Sequence, residues 1–233
     1  MYMRGSRHPI APKLPQMRTH DLGLIPYRQA WQLQEELHAQ TVEGGDEHLL
    51  LLEHPTVITL GRRTADSQKN LLTPAHLLAQ MNIDVVESDR GGDITLHAPG
   101  QLVAYPIVRL NDHRCSVGAY VRKLEDVVIV TLADYGIRAF KDESAIGVWV
   151  EKGSKLGVQT PAKICALGVR IKRGTSLHGI ALNLATDLAL FNLINPCGLS
   201  RPVASMRDLL GDAAPSMQGL KQTFTRAFLE AFA

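Results

Sequence analysis

Residues 90–110, RGGDITLHAPGQLVAYPIVRL, decide the fold. Two strand-like pieces, Ile94–His97 and Leu102–Leu110, flank the turn signal Ala98-Pro99-Gly100. Alternation in Ile94-Thr95-Leu96-His97 puts His97 on the face opposite Leu96. Upstream, His48–Glu53 carries four leucines in a row and reads as a buried strand, followed by strands at Thr56–Leu60 and Ile83–Glu87. A short helix is expected between them over Pro74–Met81, with Thr73 as its N-cap and Pro74 at the first helical position. Strands therefore come in runs rather than in strict alternation with helices. That pattern points to an α+β fold with a mixed sheet flanked by helices, not a doubly wound one.

Working outward, Tyr27, Ala30, Trp31 and Leu37 keep helical spacing up to Gly44-Gly45, with Gln34 as the one polar exception. Val117, Tyr120, Val121, Leu124, Val127, Val128 and Leu132 trace one face of a long helix that Gly136 can end. Strands follow at Ile146–Val150, Lys163–Arg170 and Leu177–Leu184. A terminal helix sets Met217, Leu220, Phe224 and Phe228 on one face, with Ser216 available as cap. No repeat or low-complexity linker interrupts this order. The expectation is a flexible N-terminal segment over residues 1–20 and a single domain over 21–233.

Composition narrows the function classes. The chain has 233 residues, 45% hydrophobic and 21% charged, with a net charge of +2, which is an ordinary globular balance and no nucleic-acid polycation. No apolar run has the length to cross a bilayer, and the basic, proline-containing start lacks the apolar core of a secretory signal. Three widely spaced cysteines make neither a disulfide framework nor a CxxC metal pair, so no metal and a reducing cytoplasm are expected.

Four clusters can carry chemistry. Arg90-Gly91-Gly92-Asp93 offers glycines where a ligand can approach the backbone, although a plain turn reads the same way. His97 is a candidate base or a satisfied structural group. Lys163, opening the apolar stretch Ile164-Cys165-Ala166-Leu167-Gly168, either snorkels into water or serves as a cation beside a thiolate. Cys197 in Asn195-Pro196-Cys197-Gly198-Leu199 sits in a tight turn, where a thiol is more exposed and more reactive than the strand-embedded Cys165. Cys115 lies in a polar stretch and is read as incidental. From Lys152 to Arg173 six basic residues occur with no acid, either a solvated face or a docking face for an acidic protein.

Taken together, RGGDITLHAPGQLVAYPI, KICALGVRIKRGTSLHGIALNL and NPCGL closely resemble the octanoyltransferase, or lipoyl(octanoyl) transferase, family of lipoate biosynthesis. Glu53-His54-Pro55 with Thr59-Leu60-Gly61-Arg62 resembles an early block of the same family, and the likeness covers roughly residues 20–210. The resemblance implies the mixed-sheet fold of lipoate and biotin protein ligase catalytic domains. It implies transfer of octanoyl from octanoyl-acyl carrier protein to a lysine ε-amine through a cysteine thioester, without a cofactor. The acceptors implied are lipoyl domains of 2-oxoacid dehydrogenases and the glycine cleavage H-protein. Carried over by position, the nucleophile is Cys197 and the lysine that lowers its pKa is Lys163. Substrate would contact Arg90, Gly91, Gly92, Asp93, Ile94, Thr95, Leu96 and His97, then Ala166, Leu167 and Gly168, then Gly179, Ile180 and Ala181. Two alternatives remain at this stage: an ATP-using lipoate–protein ligase, for which no phosphate-binding signature is found, and a non-catalytic module that binds acyl carrier protein.

Overall fold

The four leucines of residues 49–52 divide between two cores. Leu49 and Leu51 join one buried cluster and Leu50 and Leu52 another, so the strand that carries them runs through the middle of a covered sheet. The computed structural model describes residues 16–62, 68–153, 159–195 and 201–233. Ten strands run in chain order: β1 Met17–Leu24, β2 Glu47–Glu53, β3 Val57–Leu60, β4 Asp84–Glu87, β5 Ile94–His97, β6 Gln101–Ile107, β7 Ala139–Asp142, β8 Ala145–Gly153, β9 Gln159–Lys172 and β10 Thr175–Asn183. The helices are α1 Tyr27–Val42, α2 Ala75–Gln80, α3 Val117–Ala133, α4 Met206–Leu210 and α5 Met217–Phe232.

Seven strands form one sheet in the order β1-β2-β6-β10-β9-β8-β7, and three form a second in the order β4-β3-β5. Both sheets are mixed. In the large one β1 and β2 are parallel, joined through α1, and the other neighbours are antiparallel; in the small one β3 is parallel to β4 and antiparallel to β5. The hairpin between β9 and β10 closes on Arg173 and Gly174, both at positive φ (51° and 76°), the two-residue turn that matches strand twist. α3 and α5 cover one face of the large sheet, with Leu124, Val128, Phe224 and Phe228 in that core, while α1 covers the other through Ala30. Among the described residues no helix is long and apolar enough to cross a membrane.

The α+β expectation with a mixed sheet is met, with several local differences. The two pieces of the 90–110 stretch do not stay together: β5 belongs to the small sheet and β6 to the large one. The N-terminal segment expected to be flexible to residue 20 is replaced from Met17 by β1, whose polar sequence hid a strand held by parallel pairing to Glu47–Leu51 and by the Arg18–Asp46 ion pair. The earlier residues lie outside the described ones. Ser116 and Ser216 do cap α3 and α5, accepting from Ala119 N at 3.2 Å and Gly219 N at 3.1 Å. Thr73 does not cap α2: Pro74, extended at ψ 143°, occupies that position with no side-chain bond. Val117, placed on the apolar face of α3, is 51% exposed at the first residue of that helix. Gln34 is buried on α1 for a reason: its Oε1 accepts the His178 N–H at 2.8 Å, at a residue held at φ 57°.

Candidate active site

The corner at Pro99-Gly100 carries the chain from one sheet to the other. Gly100 sits at φ 84°, donates its N–H to the Glu53 carboxylate at 2.7 Å, and has the Ala185 carbonyl 2.7 Å from where a Cβ would stand. Between the two sheets lies a cavity of about 470 Å³, a usual size for a small-molecule site. Arg90 to Thr95 and His97 form one wall; Ala166 to Gly168 on β9 and Gly179 to Ala181 on β10 form the other. Leu96, expected among the contacts, does not line it. Its side chain is fully buried in the core of the small sheet beside Ile58.

The glycines serve close packing first. Gly91 donates its N–H to the Val169 carbonyl at 3.0 Å, and a Cβ at Gly168 would stand 2.8 Å from the Gly91 carbonyl. The Gly91 amide is thus engaged within the fold rather than offered to a substrate oxygen. Arg90, buried, donates from Nε to Thr59 Oγ1 at 3.0 Å, from one terminal nitrogen to the Thr59 carbonyl at 2.7 Å and from the other to the Gly91 carbonyl at 3.0 Å. The guanidinium fastens the loop to β3. Asp93 accepts from Asn70 Nδ2 at 2.7 Å and from the Ile94 N–H at 2.8 Å.

Lys163 lies at the cavity on β9, opposite Trp149 of β8, where the register slips by one residue. Its Nζ donates to the Ile146 carbonyl at 3.1 Å and stands 4.8 Å from the centre of the Trp149 ring. Its backbone N–H donates to Pro202 O at 2.9 Å, and its carbonyl accepts from Ala204 N at 3.0 Å. Arg201 covers the Trp149 ring at 5.0 Å while pairing with Asp142.

Cys197 lies outside the described residues; its flanks do not. Before it, Asn195 N donates to Asn70 O at 2.7 Å and Leu72 N donates to Leu193 O at 3.0 Å. Through Asn70 this strand end is tied to Asp93 on the cavity wall. After it, residues 202–204 run alongside Lys163, and Val203 lines the cavity. Of the other cysteines, Cys165 is fully buried, which pushes its thiol far above the ordinary range. Cys115 is half-buried and donates to the His113 carbonyl at 3.3 Å.

The deep end of the cavity is aromatic and polar. Tyr27 stacks on His97 with ring centres 5.9 Å apart, and His54 meets His97 edge-on at 5.5 Å. Gln101 Nε2 donates to Leu96 O at 3.3 Å and to Asn183 Oδ1 at 2.9 Å. Its Oε1 therefore faces His97 Nδ1 at 2.8 Å, so Nδ1 carries the proton and Nε2 remains an acceptor. Asn183 Nδ2 continues the chain of bonds to Ala204 O at 3.0 Å, next to Lys163. His54 donates from Nδ1 to Ile25 O at 2.7 Å and accepts the Tyr105 hydroxyl at 2.9 Å. Burial keeps all three histidines neutral: His54 is lowered to about 4, His178 to about 3, and His97 well below its ordinary value. Asp89 bonds His178 Nε2 at 2.7 Å but also pairs with Arg170. Among the described residues no group of His, Cys, Asp or Glu is arranged to hold a metal ion.

Four of the six basic residues between Lys152 and Arg173 are paired with acids in space, while Lys155 lies outside the described residues. Lys152 pairs with Asp208 at 2.8 Å, Lys172 with Glu35 at 3.2 Å, Arg173 with Glu43 at 3.1 Å, and Arg170 with Asp89. The acids come from α1 and its C-cap, α4 and the β4–β5 connection, invisible to a linear charge count. The residues missed altogether are Gln101, Asn183 and Glu125. Glu125 is 4% exposed on α3, and its place four residues after Val121 and three before Val128 was the signal that it shares the buried stripe.

Comparison with known proteins fits this geometry. The model of the lipoyl protein ligase A/B catalytic domain matches residues 26–229. An octanoyltransferase of Solibacter usitatus is 45% identical, with 91% of this chain and 90% of the relative covered. One of Chloroflexus aggregans is 49% identical, with 85% and 89% covered. Among solved structures, a bi-partite lipoate protein ligase of Thermoplasma acidophilum aligns with a TM-score of 0.69 at 15% identity, over 93% of this chain and 84% of that one. A lipoate-protein ligase A bound with ATP aligns with a TM-score of 0.67 at 15% identity, over 93% and 85%. Those two likenesses concern the fold alone. The matched span takes in both walls of the cavity and Lys163, and the chain belongs to the lipoyl protein ligase A/B catalytic-domain family.

Proposed function

We propose that the protein is an octanoyltransferase of protein lipoylation that carries the acyl group as a thioester on Cys197. In the first half-reaction the Cys197 thiolate, paired with the Lys163 ammonium, attacks the carbonyl of octanoyl-acyl carrier protein. The new S–C bond forms as the carrier's thiolate leaves and takes the proton from Lys163. In the second, the ε-amine of a lipoyl-domain lysine attacks the octanoyl-Cys197 carbonyl. The amide forms, the thiolate leaves, and the amine's proton returns to Lys163. The first half-reaction leaves neutral Lys163 beside the acyl-thioester, and the second restores the thiolate–ammonium pair.

The observation that carries this reading is the attachment of both flanks of Cys197 to the cavity. Asn195 is tied through Asn70 to Asp93, and Pro202 and Ala204 bracket Lys163. The described residues on either side of Cys197 thus both meet the cavity wall, and those after it run beside Lys163. The apolar part of the cavity, with Leu167, Val169 and Ile180, suits an acyl chain. The acceptors on this reading are lipoyl domains of 2-oxoacid dehydrogenases and the glycine cleavage H-protein, and the enzyme works in the cytoplasm. Purified protein, octanoyl-acyl carrier protein and a lipoyl domain test the reading in a transfer assay. Transfer proceeds with the wild type and is lost in Cys197→Ser; a Cys197→Ser variant that transfers at the wild-type rate overturns it.

A further inference from the structure

We infer that Glu125 is a positioning residue for Lys163, acting through the peptide group between Ile146 and Gly147. The inference rests on the reading of Lys163 as the group that activates Cys197. Glu125 projects from α3 toward β8, and its Oε1 accepts the Gly147 N–H at 3.0 Å. The carbonyl of the same peptide unit, on Ile146, accepts the Lys163 ammonium at 3.1 Å. In a planar trans peptide the N–H and C=O point in opposite directions, so a group that fixes one aims the other. Carboxylate, peptide and ammonium stand in line, with the anion at the N–H end and the cation at the oxygen end. Both charges favour that orientation of the peptide dipole.

This peptide is open to such control because it belongs to neither ladder. On the β7 side the register jumps from Lys141↔Val148 to Asp142↔Ala145, skipping Ile146 and Gly147. On the β9 side pairing begins only at Val148, and the next pair, Trp149↔Lys163, slips by one residue. Breaks of this kind re-aim side chains beside functional sites. Gly147 has φ 139°, and a Cβ there would stand 3.0 Å from Lys163 Cε and 2.9 Å from Cys165 O. The glycine lets the lysine lie against the backbone, and Glu125 then fixes which way the backbone faces. Among the described residues, the other charged, aromatic or thiol groups around the lysine are the Trp149 face, Arg201 beyond that ring with Asp142 as its partner, and the buried Cys165.

Two substitutions separate positioning from charge. Glu125→Gln keeps the length and the acceptor oxygen but removes the charge; Glu125→Asp keeps the charge but falls one methylene short of the amide. The readout is the pH profile of Cys197 alkylation by iodoacetamide, with Cys115 and Cys165 replaced by Ser and Ala and thermal melting as a control on folding. Positioning predicts that Gln stays within about threefold of the parent at pH 7, whereas Asp alkylates about tenfold more slowly, as for a thiol pKa raised by about one. Neither substitution has a further effect in a Lys163→Ala background, since the coupling runs through that lysine. A slow Gln with a normal Asp, or both normal, overturns the role of Glu125. An unchanged profile in Lys163→Ala alone overturns instead the activation reading on which it rests.

Discussion

Acidification from pH 7 to pH 5 is expected to remove several kcal/mol of folding stability, through histidines that the fold buries uncharged. His54 and His178 are 0% and 1% exposed, each in ring contact with Tyr105, and are held near 4 and 3 by burial. In the unfolded chain both return to about 6.5. Below that value the unfolded state binds protons that the native state refuses, so stability is complete above about pH 6.5 and declines as pH falls toward the native values. At pH 5 each histidine has traversed about 1.5 pH units at about 1.36 kcal/mol each, or about 2 kcal/mol, so this pair alone gives about 4 kcal/mol and His97, buried neutral as well, adds to the loss. Carboxylates contribute little in this window, because their ordinary values lie near 4. A loss of about 4 kcal/mol is a large share of the 5–15 kcal/mol typical of a domain. Urea titrations followed by circular dichroism at pH 7, 6 and 5 measure it directly. A free energy at pH 5 within about 1 kcal/mol of that at pH 7 would refute the assignment of these histidines as buried and neutral.

Three other consequences are open to direct measurement. Gly168→Ala places a Cβ 2.8 Å from the Gly91 carbonyl and should cost about 1–3 kcal/mol in urea unfolding while lowering kcat/KM for octanoyl transfer; unchanged values would show that the Arg90 loop yields freely. Asn183→Leu removes one of the two acceptors of the buried Gln101 amide and the side-chain donor to the Ala204 carbonyl, with an expected loss of about 1–3 kcal/mol and a lowered kcat rather than a raised KM. Donors shortened from octanoyl to hexanoyl give up two buried methylenes, about 1.6 kcal/mol and roughly fifteenfold in kcat/KM; equal rates would mean that the cavity does not hold the chain.

The sequence made some of this legible and hid the rest, for identifiable reasons. Where one residue's environment follows from its neighbours in the chain, the reading succeeds. The four leucines of β2 announce a strand covered on both faces, and Ser116 and Ser216 cap the helices they precede. Gly136 ends α3 at φ 74° as its position suggests. Where the environment is set by residues far along the chain, the reading fails. β1 is polar because it lies at a sheet edge, and only its pairing with β2 makes it a strand. The turn at Ala98–Gly100 resembles a hairpin locally, yet it is the corner that opens the cavity between two sheets. Four basic residues of the run near Lys163 are paired with acids far along the chain, such as Glu35, which lies 137 residues from the Lys172 it bonds. Lys163 itself was singled out, but Glu125 beside it was hidden in a stripe of apolar residues.

The most direct test is the intact mass of the protein after mixing with octanoyl-acyl carrier protein in the absence of ATP. The account predicts a single added octanoyl group that hydroxylamine removes and that Cys197→Ser lacks. An unmodified mass during active transfer to a lipoyl domain, or an adduct retained in Cys197→Ser, would contradict it.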